Sequence, residues 1–553
     1  MQPPRTGSAR ACDGLNGCSA SFGEVRDRLL LQCAKGCNGA ICARRRSGRS
    51  RSGSMVAERP VASRKTPPPI AVGLDTRARL PFVPSPEADV ATANPNGTLG
   101  THSIRDPHSA PFLRQCLMRP KVAKPYADHN PVTEVAQAYG RALWARRRLP
   151  PGDLIDIVDL ERRNRTVLMD FASQYGPVFK AIMHRRLVVC VFGHSLGRRV
   201  LKEHAKSLRP LSIELESLFP IGFMRGMEGE THRKYRRALV QAISVADLGA
   251  LAGKFEEIAA AALGAYAANP IQGSSAHAWA DVLEQITTSC LIVLVFGVSP
   301  ASAVHARLVA AYHDLGPHGV VWNITDQQAT AFRVLAAELA ALRPDAGGLL
   351  GQMSAQGPVD ETMLGNLIYM VELGRYDLRG LLRWISRYAA DNAEWLDRIA
   401  AETPTPGSGM TSAEAFVLET LRMEQSERLM RDVKGDFVFD GWLIPKGALL
   451  RVCMWEAHKD PDTFPRPFVF DPTRFLGNAP PTDRFSPFGL DHHHCPLAGL
   501  SIQMSMAFLR ALAEGYDVRG HGAEPAMRGP YHWEPSSKFT VGLGCRRGSE
   551  GKK

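Results

Sequence analysis

The chain has 553 residues, of which 44% are hydrophobic and 22% charged; this is a globular composition, long enough for one large domain or several ordinary ones. Its net charge of +12 is concentrated near the amino terminus, where residues 1–66 hold 13 Lys and Arg against 4 Asp and Glu. Only about +3 is left for the remaining residues, so the basic character belongs to a tail. The charge therefore gives no reason to expect a nucleic-acid partner.

Apolar stretches and cysteines indicate the compartment. The longest apolar run, Cys290–Val298, is shorter than the ~18 residues that cross a bilayer, so we expect no transmembrane segment and a cytoplasmic location. Five of the 11 cysteines fall in the tail, and the other six are scattered singly along the chain. Scattered single cysteines are typical of a reducing compartment rather than a disulfide framework.

Residues 1–105 are predicted to form a disordered basic tail, and residues 106–553 the folded domain. The tail is rich in Gly, Ser, Pro and Arg and lacks apolar periodicity; its segment Ala43–Ser54, ARRRSGRSRSGS, cannot contribute to a core. Two other interpretations stay open: an Arg/Ser-rich targeting peptide, and translated upstream sequence with Met55 nearer the true start.

Orderly patterns begin near Tyr126, and they predict helices first and strands at both ends. Helices are predicted at Pro131–Arg148 and Val158–Tyr175, followed by a β-hairpin of Val178–Met183 and Arg186–Phe192. A largely helical body is predicted from Leu196 to Phe416, and β-rich runs at Asp436–Met454 and Phe539–Leu543. This order predicts a mainly α fold of the α+β class, a large helical body with small β-sheets.

The stretch Phe485–Ser501, FSPFGLDHHHCPLAGLS, carries the clearest chemistry. Cys495 lies in a loop that opens with Phe488, and an apolar helix pattern over Leu497–Leu512 follows it. Backbone N–H groups at such a junction favour a thiolate, which can serve as an axial ligand of haem iron. The preceding residues, His492–His494, are donors suited to a haem propionate.

Three other interpretations of Cys495 compete with this one. An isolated cysteine is often a small buried hydrophobe. A zinc site normally recruits a second ligand pair at a set spacing, and none follows here. The run Asp-His-His-His-Cys is also similar to the motif of the Asp-His-His-Cys palmitoyltransferases, but those proteins span membranes several times.

An ion pair is predicted on the helix pattern of Phe416–Arg431. Glu419 and Arg422 are three residues apart and share a face. Their neighbours are apolar, so the pair is expected to be partly buried and to need further hydrogen bonds. Arg474, in the downstream segment FPRPFVFDPTRF, is the candidate third member.

Taken together, these motifs resemble the cytochrome P450 family in order and spacing. The motifs are the Glu-x-x-Arg helix, GWLIPKG (Gly441–Gly447), AHKDP (Ala457–Pro461), the Phe-x-Pro-x-Arg-Phe segment and the Phe-Gly…His-x-Cys loop, with YGPVFK (Tyr175–Lys180) and GETHRKYRR (Gly229–Arg237) upstream. The resemblance covers roughly residues 126 to 545.

The resemblance implies haem b as cofactor and assigns roles to particular residues. Cys495 would be the axial ligand of the iron, in a loop that Phe488 opens. The expected propionate partners are His232, Arg236, Arg431 and His493, and the expected structural triad is Glu419, Arg422 and Arg474. Two positions depart from the family pattern: Asp491 replaces a usual glycine, and Leu497 replaces a usual small residue.

A larger departure lies in Asn366–Ala389, which resembles the long helix that crosses the haem. The family usually has Ala-Gly-x-Asp/Glu-Thr there, whereas this chain has Leu373-Gly374-Arg375-Tyr376-Asp377. In one register Tyr376 takes the acid position and Asp377 the threonine position. In a register shifted by one residue, Asp377 is the acid and Leu378 takes the threonine position. The threonine hydroxyl is missing in both registers.

The candidate catalytic residues are therefore Arg375, Tyr376 and Asp377. Arg375 could anchor a substrate carboxylate, and Tyr376 or Asp377 could deliver protons. The alternative is that all three are helix residues without catalytic duty.

The function that the resemblance implies is a monomeric haem-thiolate enzyme that oxidises, by hydroxylation, a medium-sized apolar molecule such as a secondary metabolite. It would use dioxygen and electrons from a ferredoxin or flavoprotein. The missing alcohol leaves a second possibility: peroxide-dependent oxidation, dehydration, rearrangement or ring formation. A third is a non-catalytic protein that docks a partner. The regions expected to contact substrate are Leu211–Met227, Val304–Ala329 and Pro530–Lys538.

Overall fold

The computed structural model describes residues 130–211, 224–269, 276–316, 325–342, 348–403, 409–424, 428–477, 483–522, 525–528 and 532–546. All of these belong to one compact unit. The predicted tail, residues 1–105, lies outside the described residues, as do parts of the three regions expected to contact substrate.

Helices make up most of this unit, as the apolar periodicity predicts. They are α1 Pro131–Trp144, α2 Ile157–Arg163, α3 Val167–Tyr175, α4 His194–Glu203, α5 Gly229–Ser244, α6 Leu248–Ala267, α7 Ala276–Phe296, α8 Ala303–Leu315, α9 Asp326–Ala341, α10 Leu349–Ser354, α11 Glu361–Asp391, α12 Ala393–Ala401, α13 Ser412–Glu424, α14 Met454–Ala457 and α15 Ala498–Gly515.

The strands form small sheets, and the largest has the order β1-β2-β7-β4-β3. The strands are β1 Val178–Met183, β2 Arg186–Phe192, β3 Leu208–Pro210, β4 Arg428–Val433, β5 Phe437–Phe439, β6 Trp442–Ile444, β7 Leu449–Cys453, β8 Tyr516–His521, β9 Met527–Arg528, β10 Trp533–Glu534 and β11 Thr540–Cys545. The β1–β2 hairpin has the predicted bounds, and β2 pairs in parallel with β7 far along the chain.

The main core is helical, and α11 runs through it. This 31-residue helix packs on α7, α13 and α15. Gly374 makes the contact with α7 close, because a Cβ at that position would lie 3.3 Å from Leu291 Cδ1. Helix α11 therefore packs both on the helix that carries the predicted ion pair and on the helix that follows the predicted cysteine.

Several predicted boundaries are wrong in informative ways. The helix predicted over Val158–Tyr175 is two helices, α2 and α3, because Asn164 ends the first in extended backbone. The helix predicted over Phe416–Arg431 ends at Glu424, and Arg431 lies on strand β4 instead. Apolar spacing alone did not reveal the change from helix to strand.

One described helix is long and apolar enough to cross a membrane: Ala278–Phe296, with a mean hydropathy of 1.5. The expectation that no segment is long and apolar enough to cross a bilayer is therefore wrong. However, 72% of this window is buried inside the fold, so a core helix accounts for its apolar character.

Candidate active site

The cysteine loop is held by its own backbone. The Cys495 N–H donates to the Phe488 carbonyl at 3.0 Å, and the His494 N–H donates to the Asp491 carbonyl at 3.2 Å. Phe488 therefore closes the loop through its carbonyl. Helix α15 begins three residues after Cys495, so the sulfur lies at a loop-to-helix junction, as the sequence predicts.

Both departures from the family pattern in this loop are accommodated. Asp491 has φ +57°, a left-handed conformation that glycine adopts freely and Asp tolerates. Its Oδ1 accepts from the His493 N–H at 3.2 Å, which stabilises the turn. Leu497 is buried in the core just before α15 rather than crowding the helix start.

Burial dominates the chemistry of Cys495. Desolvation raises the pKa of its thiol to about 11, while the Leu497 N–H and the charge of Arg236 lower it and the charge of Asp377 raises it. The helix-start donor acts in the direction we expected, but it is outweighed. A thiolate at this position therefore needs a further positive charge, which a coordinated metal supplies.

A cluster of cationic side chains lies beside the loop; the cationic cluster is His232, Arg236, Arg431 and His493. The rings of His232 and His493 are 4.5 Å apart between centroids. Burial, followed by the charges of His492 and Arg236, lowers the pKa of His232 to about 4. Burial, followed by the charge of Arg431, lowers the pKa of His493 to about 2. The loop, α5 and β4 thus bring together two arginines and two histidines, and burial with the neighbouring positive charge keeps both histidines neutral near pH 7.

Arg431 shows what the cationic cluster lacks. It is buried, and its Nη1 donates to the Met430 carbonyl at 2.9 Å. Its Nη2 makes no hydrogen bond to any described residue, and the carboxylate of Asp491 is 3.8 Å away. Crowded cations with an unsatisfied buried donor need an anion. The two propionates of haem fit this requirement, and the thiol of Cys495 fits its iron.

The predicted triad is assembled on the α13 side of the loop. Arg422 donates through Nε and Nη2 to Glu419 at 2.7 and 2.8 Å, and Arg474 Nε donates to Glu419 at 3.3 Å. Neither side chain of the first pair is exposed. Arg422 also donates to the carbonyls of His458 and Pro467, at 3.0 and 2.7 Å. These extra bonds are what a buried pair requires.

On α11, the structure favours the register with Asp377 in the threonine position. Leu378 is buried in the core. The Asp377 side chain keeps 49% of its surface accessible between buried neighbours, so its carboxylate borders open space. Its charge also acts on the thiol of Cys495. We call the α11 side of Cys495 the distal side.

Arg375 and Tyr376 have other partners. Arg375 is buried and binds Glu284, Glu372 and the carbonyls of Tyr312 and Gly316. With its donors used in helix packing, Arg375 has the contacts of a structural residue rather than those of a substrate anchor. Tyr376 is also buried, and its hydroxyl donates to Glu534 Oε1 at 3.3 Å.

One residue that the sequence did not single out joins the site. His532 Nε2 lies 2.8 Å from Asp377 Oδ1. The segment Pro530–Lys538 was expected to contact substrate, but no local signal marked this histidine, which is 155 residues from its partner.

The geometry also bears on the zinc alternative. Among the residues that the structure describes, no three His, Cys, Asp or Glu side chains converge as they would around a metal ion. The histidine run beside Cys495 therefore does not form a zinc site with it.

Comparisons with known proteins show what the chain is similar to. The sequence model of the family described as cytochrome P450 matches residues 408–529, which hold the triad and the cysteine loop. Abscisic acid 8'-hydroxylase 2 of Oryza sativa subsp. indica is 25% identical over 434 residues, covering 69% of this chain and 84% of that protein. Ent-kaurenoic acid oxidase 1 of Arabidopsis thaliana is 30% identical over 193 residues, covering 31% of this chain and 39% of that protein.

The fold is similar to solved structures as well. A retinoic acid-bound cyanobacterial CYP120A1 superposes with a TM-score of 0.57 at 20% identity, covering 72% of this chain and all of that one. This likeness concerns the fold alone.

Proposed function

Because the chain belongs to the cytochrome P450 family, we propose that it hydroxylates a medium-sized apolar small molecule, such as a secondary metabolite. Membership makes it an oxidoreductase of the haem-thiolate type, with haem b as cofactor. Bound haem supplies the activation of dioxygen and the transfer of one oxygen atom to the substrate.

The observation that carries the proposal is that the loop of Cys495 lies beside the cationic cluster. Cys495 would provide the thiolate ligand of the haem iron, and the positive charge of the metal would offset the desolvation that otherwise keeps its thiol protonated. His232, Arg236, Arg431 and His493 bind the propionates by charge-assisted hydrogen bonds. Glu419, Arg422 and Arg474 hold the segment behind the loop in place.

The substrate class follows from the relatives and one side chain. Two relatives are named for abscisic and kaurenoic acid, and one structural neighbour is bound to retinoic acid; all three are apolar acids. Arg225 is exposed in the region expected to contact substrate; burial raises the pKa of Tyr369 on α11 to about 12, and the charge of Arg225 opposes this shift. An apolar acid, with its carboxylate near Arg225, is therefore the substrate class we propose.

The partners and location are also part of the proposal. Electrons come from a ferredoxin or flavoprotein, and the enzyme acts as a monomer in the cytoplasm. A non-catalytic docking protein is set aside, because the relatives are named as a hydroxylase and an oxidase.

The second candidate is an enzyme that does not consume dioxygen. The observation that favours it is the sequence Gly374–Ile385, GRYDLRGLLRWI, which contains no hydroxyl of Ser or Thr. Such an enzyme would use peroxide, or would dehydrate, rearrange or cyclise its substrate.

Isotope labelling separates the two candidates. The haem-loaded protein is supplied with a ferredoxin and its reductase, a panel of apolar acids and labelled dioxygen. The proposal predicts a product that carries one labelled oxygen atom and requires the electron donor. A product without label, or one formed equally well without the donor, would instead establish the second candidate.

A further inference from the structure

Hydroxylation needs protons on the distal side, and the usual alcohol is missing there. Each turnover consumes dioxygen, two electrons and two protons; one oxygen atom enters the substrate C–H bond and the other leaves as water. The next hydroxyl along α11 belongs to Ser386, which is fully buried and donates to the Leu382 carbonyl at 2.7 Å. Another group must therefore hold the protons.

We propose that Asp377 and His532 form the distal proton-holding pair of this enzyme, an inference that rests on the proposed function. The His532 Nε2–H donates to Asp377 Oδ1 at 2.8 Å, and the two residues come from α11 and from the segment leading into β10. The carboxylate borders open space on the distal side, whereas the His532 side chain is 17% accessible. Asp377 faces the site, and His532 positions it.

The chemistry of the pair suits this task. An ionised carboxylate only accepts hydrogen bonds, so the shared proton resides on the ring nitrogen. Imidazole exchanges protons with water near neutral pH, and a carboxylate beside it stabilises the charged ring. His532 can therefore hold the shared proton on Nε2 and pass it to Asp377 Oδ1.

Other titratable groups surround the pair. On α11 the charge of Asp377 helps to raise the pKa of Tyr369 and of Tyr376, and across the site it raises that of Cys495. On β10, Glu534 follows close to His532 and pairs with Arg383. Because these groups also titrate, the pH dependence of the parent alone does not isolate His532, and variants must be compared.

The pair is not needed to fix its strand. Trp384 Nε1 donates to the Trp533 carbonyl at 2.8 Å, and Arg383 Nη2 donates to the carbonyls of Pro535 and Ser536 at 3.0 and 3.2 Å. These bonds hold the segment against α11 independently of His532. The hydrogen bond between His532 and Asp377 is thus not needed to hold this segment in place, and a functional role explains it better.

The test combines a titration with a measurement of coupling. Histidine rings are labelled with carbon-13 in the full-length, haem-loaded protein, and spectra are recorded in the diamagnetic ferrous carbon monoxide form. Loss of a signal in His532→Gln assigns it. In Asp377→Asn we expect the titration midpoint of His532 to fall by about one pH unit, because the anionic partner is gone.

Coupling is measured as product formed per electron pair, with hydrogen peroxide quantified alongside. We expect Asp377→Asn and His532→Gln each to lower coupling at least about fivefold, and the double variant to be no worse than the lower single one. Asp377→Thr, which restores an alcohol, should recover coupling and remove its dependence on His532. His313→Gln, an exposed histidine on α8, is the control and should match the parent.

The results distinguish a failure of the Asp377–His532 pair from a failure of the proposed hydroxylase function. An unchanged midpoint in Asp377→Asn, or normal coupling in His532→Gln, would overturn the pair while leaving the proposed function standing. Absence of any hydroxylated product from the parent protein would instead overturn the proposed function.

Discussion

At the scale of single residues, Arg431 and His493 are buried donors placed where an anion would bind. Arg431 is a guanidinium withdrawn from water, and His493 is an imidazole that burial and the charge of Arg431 keep neutral; this arrangement costs free energy until an anion binds. The sequence allowed these residues to be assigned to propionates through family resemblance. It could not show that a buried nitrogen of Arg431 would lack a hydrogen bond, because that depends on the strand β4 that replaced a predicted helix.

Removing either donor should weaken haem retention. A charge-assisted hydrogen bond contributes about 1.5–3 kcal/mol, so Arg431→Gln and His493→Gln should each release haem roughly ten- to a hundredfold faster. Transfer of haem to an excess of apomyoglobin, followed by absorbance, measures this rate.

The adjacent His492 provides a matched control, because its side chain is 58% exposed. His492→Gln should release haem within about twofold of the parent rate, as expected for a surface position. Equal acceleration by all three substitutions would contradict the propionate assignment and point to general loosening of the loop.

At the scale of elements, α11 carries buried charge on the side that faces α7 and α8. Arg375 binds Glu372 and Glu284 there and also binds the Tyr312 carbonyl. The sequence showed the long helix and its unusual Arg-Tyr-Asp run. It could not show which side each residue faces, because the partners come from other helices.

This buried network predicts a pH dependence of stability. Burial raises the pKa of Glu372 to about 7, although Arg375 opposes the shift. The raised pKa means that the folded protein binds a proton that the unfolded chain releases at lower pH. The contribution of Glu372 to stability is thus complete below about pH 4.5 and is lost as pH rises through about 7.

Glu372→Gln removes this dependence. Relative to the parent, the free energy of unfolding of the variant should rise by up to about 3 kcal/mol between pH 5 and pH 8, measured by urea unfolding. Glu338→Gln is the control, because pairing with Arg307 lowers the pKa of that carboxyl and leaves it ionised throughout. A constant difference between Glu372→Gln and the parent at both pH values would show that Glu372 is already ionised at pH 5.

At the scale of the whole molecule, the sequence predicted the architecture well. The helical body, the β1–β2 hairpin and the α15 helix after Cys495 follow from apolar periodicity, which acts locally. The sheet order β1-β2-β7-β4-β3 does not, since β2 and β7 are separated by nearly half of the chain. The same limit applies to the site: Cys495 and the Glu419–Arg422 pair lie in local motifs, whereas the contact between Asp377 and His532 is purely tertiary.

The most direct test of the account is the absorption spectrum of the purified, reduced, carbon monoxide-bound protein beside its Cys495→Ser variant. We expect a Soret band at the position typical of thiolate-ligated haem in the parent. The variant should lose that band while retaining the fold, because the triad and the helical core do not depend on the sulfur. A parent protein that binds haem without this band, or a variant that keeps it, would contradict the assignment of Cys495 as the axial ligand.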